Sequence, residues 1–326
     1  MQQARRVIAG LDRLMRRRAA GPDDRLLQEV SALRSRIEGI EAHLSAAGDR
    51  YLPDPSFATP TSGEFMQFST CSSADFMHPR YAAICAMLDH PASWHRKVWE
   101  WVFIVHHILE SGVAEPGGRG LAFGVGTEPL PALFAGLGAH VVATDAPTDV
   151  GESEGWVATG QHVGSVDHIR YPDIVDGDVF DANVSYRTCD MRDISADLTG
   201  FDFNWSSCCF EHLGSLQAGM DFVVNAVENT LRPGGIAVHT TEFNLTSDER
   251  TVEDGATVIY RHRDIAELVQ RLRDRGHTVK DFIVAPPSNY WDFHVDTPPY
   301  NGKVHLKLLL GQYVTTSIGL VIHRGA

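Results

Sequence analysis

The sequence predicts an α/β fold in which helices cover both faces of a mostly parallel sheet. Three observations lead to this prediction. Short apolar strands alternate with helical segments from residue 118 onward, a glycine-rich turn (Gly124-Val-Gly126) follows the first strand, and the second strand ends at Asp145. Alternation of strands with helices is typical of parallel sheets, because each connection must cross back along the sheet.

The individual elements follow from apolar periodicity and from residues that end helices. Strands are predicted at Leu121–Phe123, Val141–Thr144, Asn183–Thr188, Phe201–Trp205, Ile236–Thr241, Thr278–Ala285 and Thr315–His323. Helices are predicted at Tyr81–Leu88, Trp94–Glu110, Leu130–Ala135, Leu216–Leu231 and Asp264–Arg275. Gly112 and the Pro233-Gly234-Gly235 run are the expected helix stops.

The first 50 residues are predicted to form a separate helical element. Residues 1–18 carry six arginines against one aspartate, a formal charge of +5, whereas the remainder of the chain carries −19.

The second part of this element carries a pattern typical of assembly helices. Within 24–47, apolar residues recur in alternating steps of four and three, which is typical of a coiled coil. We therefore predict a homo-oligomer formed through 24–47, with packing of this helix on its own domain as the alternative.

The rest of the chain divides into two predicted parts. Residues 51–117 form a proline-rich wrapping loop followed by helices and are expected to cap the substrate site. Residues 118–326 form the cofactor-binding domain.

Charge and composition exclude two classes of protein. The formal net charge is −14, which argues against a nucleic-acid groove because phosphate contacts need clustered cations. No apolar run reaches 18 residues, so no membrane-spanning helix is predicted, and the first 20 residues lack the apolar core of a secretory signal.

The five cysteines form no CxxC pair and are expected to be reduced thiols of a cytoplasmic protein.

The pattern from Gly124 to Asp145 predicts a site for a nucleoside cofactor. Glycines in a turn let the backbone approach a ligand closely, and an acid at the tip of the next strand can bind both ribose hydroxyls. A nicotinamide cofactor would require a third glycine for close helix packing, and Pro129 occupies that place. The sequence therefore departs from the dehydrogenase pattern, although an NAD(P)-dependent oxidoreductase remains an alternative.

Three motifs further along the chain favour a different cofactor. Val184–Met191 reads as a third strand ending in an acid, Phe201–Leu213 as a fourth strand followed by Glu-His-Leu, and Leu231–Val238 as Arg-Pro-Gly-Gly before a fifth strand. With these motifs the chain resembles the class I S-adenosylmethionine (SAM)-dependent methyltransferases over roughly 118–245, and more loosely over 246–326. The resemblance implies a Rossmann-like, seven-stranded sheet whose last strand is antiparallel, SAM as the cofactor, and methyl transfer as the activity.

The resemblance also implies roles for individual residues. Gly124 and Gly126 would face the methionine part of the cofactor, Asp145 would hold the ribose, Asp190 and Met191 would bind the adenine, and Ser207 would lie near the methionyl group. The family often has an acid two residues before the first glycine, where this chain has Ala122. Glu128 replaces the third glycine of G-x-G-x-G, and we hypothesise that it binds the methionyl amine instead.

The predicted reaction is O-methylation of a small polar acceptor, such as a sugar or glycan unit. A hydroxyl acceptor benefits from a base with a pKa near 7, which suits histidine. His212, which follows the fourth strand, is the first candidate base, and His162 is the second. Packing is the competing role for His212. N-methylation, a lipid-quinone acceptor and a non-catalytic SAM-binding scaffold remain alternatives.

The acceptor site is predicted within residues 286–311, where aromatic and acidic residues alternate with prolines. Tyr290, Trp291 and His294 are the candidate acceptor-binding residues. Asp292, His294 and Asp296 would share one face of a strand, as ligands of a divalent metal could. No second cluster supports a metal, and none is predicted.

Overall fold

A central sheet of eight strands organises the protein. The computed structural model describes residues 30–40, 63–147 and 165–326. Within these residues the sheet contains β1 (Arg119–Phe123), β2 (His140–Asp145), β3 (Val184–Thr188), β4 (Phe201–Ser207), β6 (Leu231–Asn244), β8 (Thr278–Val279), β9 (Lys307–Leu310) and β10 (Tyr313–His323). Two short strands, β5 (Gly214–Ser215) and β7 (Asp254–Gly255), pair separately.

The strand order confirms the predicted fold class, but the sheet has eight strands where seven were predicted, because the additional strand β9 pairs with β10. The sheet runs β3-β2-β1-β4-β6-β10-β8, with parallel pairing from β3 to β6. β10 is antiparallel to β6 and β8, as the predicted antiparallel last strand requires. Strands β2 and β3 lie on one side of β1, whereas β4 and the later strands of this sheet lie on its other side. The strand order therefore reverses between β1 and β4. Ligands of open parallel sheets bind at such a reversal, beyond the carboxyl ends of the strands.

Nine helices occur among the described residues, and the longer ones cover the sheet. They are α1 (30–40), α2 (Ser73–Met77), α3 (Pro79–Met87), α4 (Arg96–Ser111), α5 (Leu130–Gly136), α6 (Gly177–Asn183), α7 (Leu216–Asn225), α8 (His262–Asp274) and α9 (Tyr290–Phe293). None of the helices in this part of the chain is long and apolar enough to cross a membrane.

Alternating side chains give the sheet a core on each face. In β1, Ala122 packs into one apolar cluster, whereas Leu121 and Phe123 pack into the other. This alternation follows from the two-residue period of a strand. Trp205 of β4 is fully buried in the first cluster, and each fully buried apolar side chain contributes about 1.5–3 kcal/mol. Both faces of the central strands are therefore buried.

Helix α4 carries the side chains that reach the functional site. It begins after His95, whose Nδ1 accepts a hydrogen bond from the backbone N–H of Lys97 at 3.1 Å. It ends at Gly112, which has a φ of 71° and caps the helix as predicted. Trp99 Nε1 donates to Asp75 Oδ2 at 2.8 Å and thereby holds α2 against this helix.

Two predicted elements are shorter than expected. Strand Thr278–Ala285 ends at Val279, because the following residues bond instead to the segment before α2: Ser69 N donates to Ile283 O at 2.8 Å, and Ala285 N donates to Thr70 Oγ1 at 2.8 Å. Helix Leu216–Leu231 changes to one π-helical turn at Ala226–Thr230, and Leu231 already belongs to β6.

The predicted assembly helix is described only in part. Residues 30–40 are helical, and the side chains of Leu33 and Ile40 are about half exposed, at 50% and 57%. Residues 1–29 and 41–62 lie outside the described residues, so the role of 24–47 in assembly stays a prediction. Residues 69–71 hydrogen-bond along β10, so the described part of 51–117 packs directly on the sheet.

Candidate active site

A cavity of about 500 Å³ opens at the carboxyl ends of the parallel strands. Its volume lies within the range of small-molecule sites, about 300–1,000 Å³. The loops after β1, β2, β3 and β4 and the first turns of α4 form most of its described wall, and Glu242, Thr257 and Leu310 also line it. All seven predicted cofactor-binding residues line it: Gly124, Gly126, Glu128, Asp145, Asp190, Met191 and Ser207.

The glycine turn after β1 needs glycine for conformation and for space. Gly124 has a φ of 57°, and a Cβ at this position would lie 2.7 Å from Cys209 Sγ. Gly126 has a φ of 48°, and its N–H donates to Asp145 Oδ2 at 3.1 Å. Asp145 Oδ1 accepts from Ala146 N at 2.8 Å. The acid at the end of β2 therefore fixes the turn that it faces, and its carboxylate is 5% exposed to the cavity.

Asp190 and Met191 follow β3 on the same side of the cavity. Asp190 accepts hydrogen bonds from Arg192, at 3.0 Å from Nε and 2.8 Å from Nη2. Arg192 holds the pKa of the Asp190 carboxyl below its ordinary value. Met191 is buried and offers an apolar surface beside this ion pair. Together the two residues provide an acceptor and a flat apolar contact, as an adenine ring would need.

Glu128 lies opposite, next to Lys97 of α4. Its Oε1 is 3.5 Å from Lys97 Nζ, and Oε2 makes no hydrogen bond with any described residue although the side chain is buried. Burial raises the pKa of Glu128 to about 7, and Lys97 opposes part of that shift. A buried carboxylate oxygen without a partner is energetically unfavourable, and a ligand ammonium group would satisfy it.

A buried ion cluster, centred on Glu100, was missed in the sequence. Glu100 is fully buried in α4. Its Oε2 is 3.4 Å from Lys97 Nζ and accepts from Ser207 Oγ at 3.1 Å, and its Oε1 accepts from Ser317 Oγ. Burial alone would raise the pKa of Glu100, but Lys97 and Arg96 hold it below its ordinary value. Ser207 thus serves this cluster as well as lining the cavity.

The cluster continues through Arg96 to Glu242 of β6. Arg96 Nη2 lies 2.8 Å from Glu242 Oε2, and Nη1 donates to Ser317 Oγ at 2.9 Å. Glu211 is buried beside them and accepts from Thr241 Oγ1 at 2.9 Å. One wall of the cavity is therefore strongly charged and almost dry.

One local signal for this cluster was present in the sequence. Glu100 interrupts the most apolar stretch of the chain, and Arg96 and Lys97 precede it by four and three residues, a spacing that places the three side chains on adjacent turns of one helix. Charged residues in such a stretch are retained where they find buried partners. The partners on β6 and β10 could not be recognised, because they lie more than 140 residues away along the chain.

His212 reaches the cavity, and its hydrogen bond fixes its tautomer. Nδ1 lies 2.7 Å from the carbonyl oxygen of Ala256, which can only accept a hydrogen bond. Nδ1 therefore carries the proton in the neutral ring, and Nε2 keeps the lone pair that a base requires. His162, the second candidate base, lies outside the described residues.

The predicted acceptor-binding residues do not line this cavity. Tyr290 is 72% exposed, whereas Trp291 is buried with its ring centroid 4.8 Å from that of Trp94. His294 follows α9 directly. The large apolar surface of Trp291 favours core packing over a ligand contact. The acceptor-binding role of all three stays a prediction.

The alternating Asp292, His294 and Asp296 do not share a strand face. Asp292 belongs to α9 and accepts from Ser73 N at 2.8 Å, and Asp296 accepts from His305 at 2.7 Å. The strand expectation here is wrong, because hydrogen bonds to α2 and to His305 fold the segment back on the domain. Elsewhere in the described residues, Cys208, Glu211 and Glu242 place ligand atoms within 4.8 Å of one another.

Comparisons with known proteins concern the fold of the chain. No protein-family model and no curated protein matches the sequence. Among solved structures, magnesium protoporphyrin IX methyltransferase (ChlM) from Synechocystis PCC 6803 with bound SAH is 13% identical, with 68% of this chain and 80% of that chain covered and a TM-score of 0.42. The DhpI–SAH complex is 17% identical, with coverages of 75% and 93% and a TM-score of 0.41.

The cyclase SpnF is a third similar structure, 14% identical, with coverages of 67% and 77% and a TM-score of 0.37. The Rossmann-like fold of this chain follows from its own strand order and pairing. Because a fold hosts many chemistries, likenesses at this level assign no reaction to this chain. The reaction must be argued from the cavity itself.

Proposed function

We propose that this protein transfers a methyl group from SAM to a small polar acceptor. One observation carries the proposal: the Gly124–Gly126 turn, the acids Asp145 and Asp190, and Glu128 surround a single cavity at the reversal of strand order. These groups offer one acid to the adenine, one to the ribose and one to the ammonium group of a SAM molecule.

The residues present fit this cofactor. Asp145 already orders the glycine turn, and its carboxylate at the cavity wall would accept hydrogen bonds from the ribose hydroxyls. Met191 and Asp190 would hold the adenine, and Glu128 Oε2, which has no partner among the described residues, would accept from the methionyl amine. Lys97, beside Glu128, would face the methionyl carboxylate. SAM supplies an electrophilic methyl group on a sulfonium.

The reaction that we propose is O-methylation of an acceptor hydroxyl, with His212 as the general base. In the proposed step the hydroxyl oxygen bonds to the methyl carbon, the carbon–sulfur bond breaks with its electron pair going to sulfur, and His212 Nε2 takes the hydroxyl proton. The tautomer fixed by Ala256 supports His212 as the base. The charged wall of α4 and β6 supports a polar acceptor, and a sugar or glycan unit remains our proposal for its class.

Replacing Asp145 by alanine should lower the affinity for S-adenosylhomocysteine (SAH) by about 10–100-fold, because hydrogen bonds to a charged group are each worth about 1.5–3 kcal/mol. Isothermal titration of SAH would measure the change. Asp202→Ala is the matched control: Asp202 also accepts a backbone N–H, from Arg119 at 2.7 Å, but lies at the opposite end of the sheet. Tighter binding of NADH than of SAH by the unaltered protein would contradict the proposal and favour an oxidoreductase.

Glu128→Gln tests the hypothesis for the methionyl amine. We expect SAH affinity to fall about tenfold, since glutamine cannot balance an ammonium charge. In the unaltered protein the affinity should rise as the pH rises through 7, because Glu128 has a pKa of about 7 and binds the amine only when ionised. The variant should lose that pH dependence. Unchanged SAH affinity at neutral pH would refute this role for Glu128.

We also infer that residues 24–47 pair with a second copy of the chain. The half-exposed apolar side chains of Leu33 and Ile40 on α1 support this pairing, because a second helix could cover them.

A cytoplasmic location remains part of the proposal and is supported by the five free cysteines.

A further inference from the structure

The cavity carries more negative charge than the proposed cofactor can balance. Among the residues that the structure describes, six Asp or Glu side chains and three Lys or Arg side chains line it, a formal excess of three negative charges. SAM has a sulfonium and an ammonium against one carboxylate, so its net charge is +1. If the proposed function holds, two negative charges of the lining remain to be balanced by the acceptor.

The unbalanced charge is concentrated at Glu211 and Glu242. Both side chains are buried, at 1% and 3% exposure, and both line the cavity. Glu242 Oε2 pairs with Arg96, but Oε1 makes no hydrogen bond with any residue that the structure describes. Glu211 accepts from a threonine hydroxyl and has no ion-pair partner among the described residues. Two buried carboxylates, Glu211 and Glu242, therefore have only one described cation, Arg96, beside them.

Such an arrangement is costly unless a ligand completes it. An unpaired carboxylate oxygen in a dry site loses its hydration without compensation. Burial raises the pKa of Glu242, and Arg96 opposes that shift. A ligand with several N–H donors and one positive charge would supply hydrogen bonds and charge balance together, and an alkylammonium group has both properties.

We propose that Glu211 and Glu242 bind an ammonium group of the acceptor. This inference rests on the proposed function and narrows it: the acceptor is a small amino alcohol or amino sugar, anchored by its ammonium group at Glu211 and Glu242. Glu211 and His212 both line the cavity, so in this proposal an acceptor held at the first presents a hydroxyl to the second. The ammonium group only positions the acceptor, and the methyl group is transferred to the hydroxyl.

The local geometry favours an ammonium group over a metal ion. Cys208 Sγ and the two carboxylates lie close enough together to hold a metal. However, the guanidinium of Arg96 already lies 2.8 Å from Glu242 and 3.7 Å from Cys208 Sγ. A divalent ion would have to displace or tolerate this cation, whereas an ammonium group needs only the remaining carboxylate oxygens.

The test compares charged and neutral probes of nearly equal shape. Ethanolamine would be titrated against ethylene glycol, and glucosamine against glucose, with the SAH-saturated full chain and with the chain alone, by ligand-observed NMR. We expect the ammonium member of each pair to bind about tenfold tighter or more, as hydrogen bonds to charged groups allow. Glu242→Gln should abolish that preference. Glu228→Gln, which removes a surface carboxylate paired with Arg275, should keep it.

Each outcome decides between stated possibilities. Equal binding of charged and neutral probes by the unaltered protein would overturn the inference, whether or not Glu242→Gln folds. Retention of the preference in folded Glu242→Gln would also overturn it. Displacement of ethanolamine by equimolar Mn²⁺ would assign the site to a metal instead. SAH binding without an ammonium preference refutes this inference alone, whereas an ammonium preference without SAH binding refutes the proposed function alone.

Discussion

Replacing Glu100 by alanine should lower the free energy of unfolding by about 3–5 kcal/mol, the cost of removing one partner from a buried ion cluster. Glu100 is fully buried, and both Arg96 and Lys97 direct their charges at it. Without the carboxylate, the two cations would remain in a nearly dry site. The hydroxyls of Ser207 and Ser317 would lose their acceptor as well.

Urea unfolding of the purified protein would measure this loss. Glu110→Ala is the matched control, because Glu110 lies in the same helix but its ion pair with Arg80 is exposed to solvent. We expect no measurable change for the control. Folding lowers the pKa of Glu100 below 4.5, so its stabilising contribution should be present at neutral pH and be lost as the pH falls through the folded-state pKa. Equal stabilities of the two variants would contradict the role of the cluster.

His212→Ala should lower kcat by about 100- to 10,000-fold on the acceptor that the unaltered protein methylates, which is the usual contribution of a general base. The hydrogen bond from Nδ1 to Ala256 leaves Nε2 as the proton acceptor. Since the ring is half-buried at the cavity wall, its removal should leave both the fold and the SAH affinity nearly unchanged.

The measurement needs kcat and the SAH dissociation constant from the same preparations. His140→Ala is the control, because His140 is exposed at the start of β2, at the opposite end of the sheet. Activity of His212→Ala within a few-fold of the control would refute general-base catalysis by this residue. A parallel loss of SAH affinity would indicate a structural role instead.

The residues predicted to bind the cofactor lie together at one cavity, and this placement was predictable because its signals are local. A glycine turn, the acid that ends the next strand and the residues after β3 lie within short stretches of sequence, and each stretch occupies one strand end. Parallel strands bring their carboxyl ends to one edge of the sheet. Knowledge of strand order and direction was therefore enough to place Gly124, Asp145 and Asp190 together.

The acceptor-binding residues proposed in 286–311 rested on weaker signals, and their role stays a prediction. Aromatic and acidic residues in 286–311 suggested a pocket, yet Trp291 packs on Trp94 and Asp292 ties α9 to α2. Composition alone does not distinguish an aromatic residue that lines a site from one that fills a core. That choice depends on which apolar surface lies opposite, and distant parts of the chain supply it.

The sequence by itself determined the parallel α/β sheet, because alternating strands and helices depend on periodicity and turn chemistry within short segments. The antiparallel final strand and the residues expected at the strand ends followed from the family resemblance of the sequence. Only the tertiary structure decided that Arg96, Lys97 and Glu100 meet Glu242 and Ser317 at one cavity wall. The physical reason is that a buried charge is tolerated only where desolvation is repaid by partners close in space, and proximity in space is not encoded by proximity in the chain.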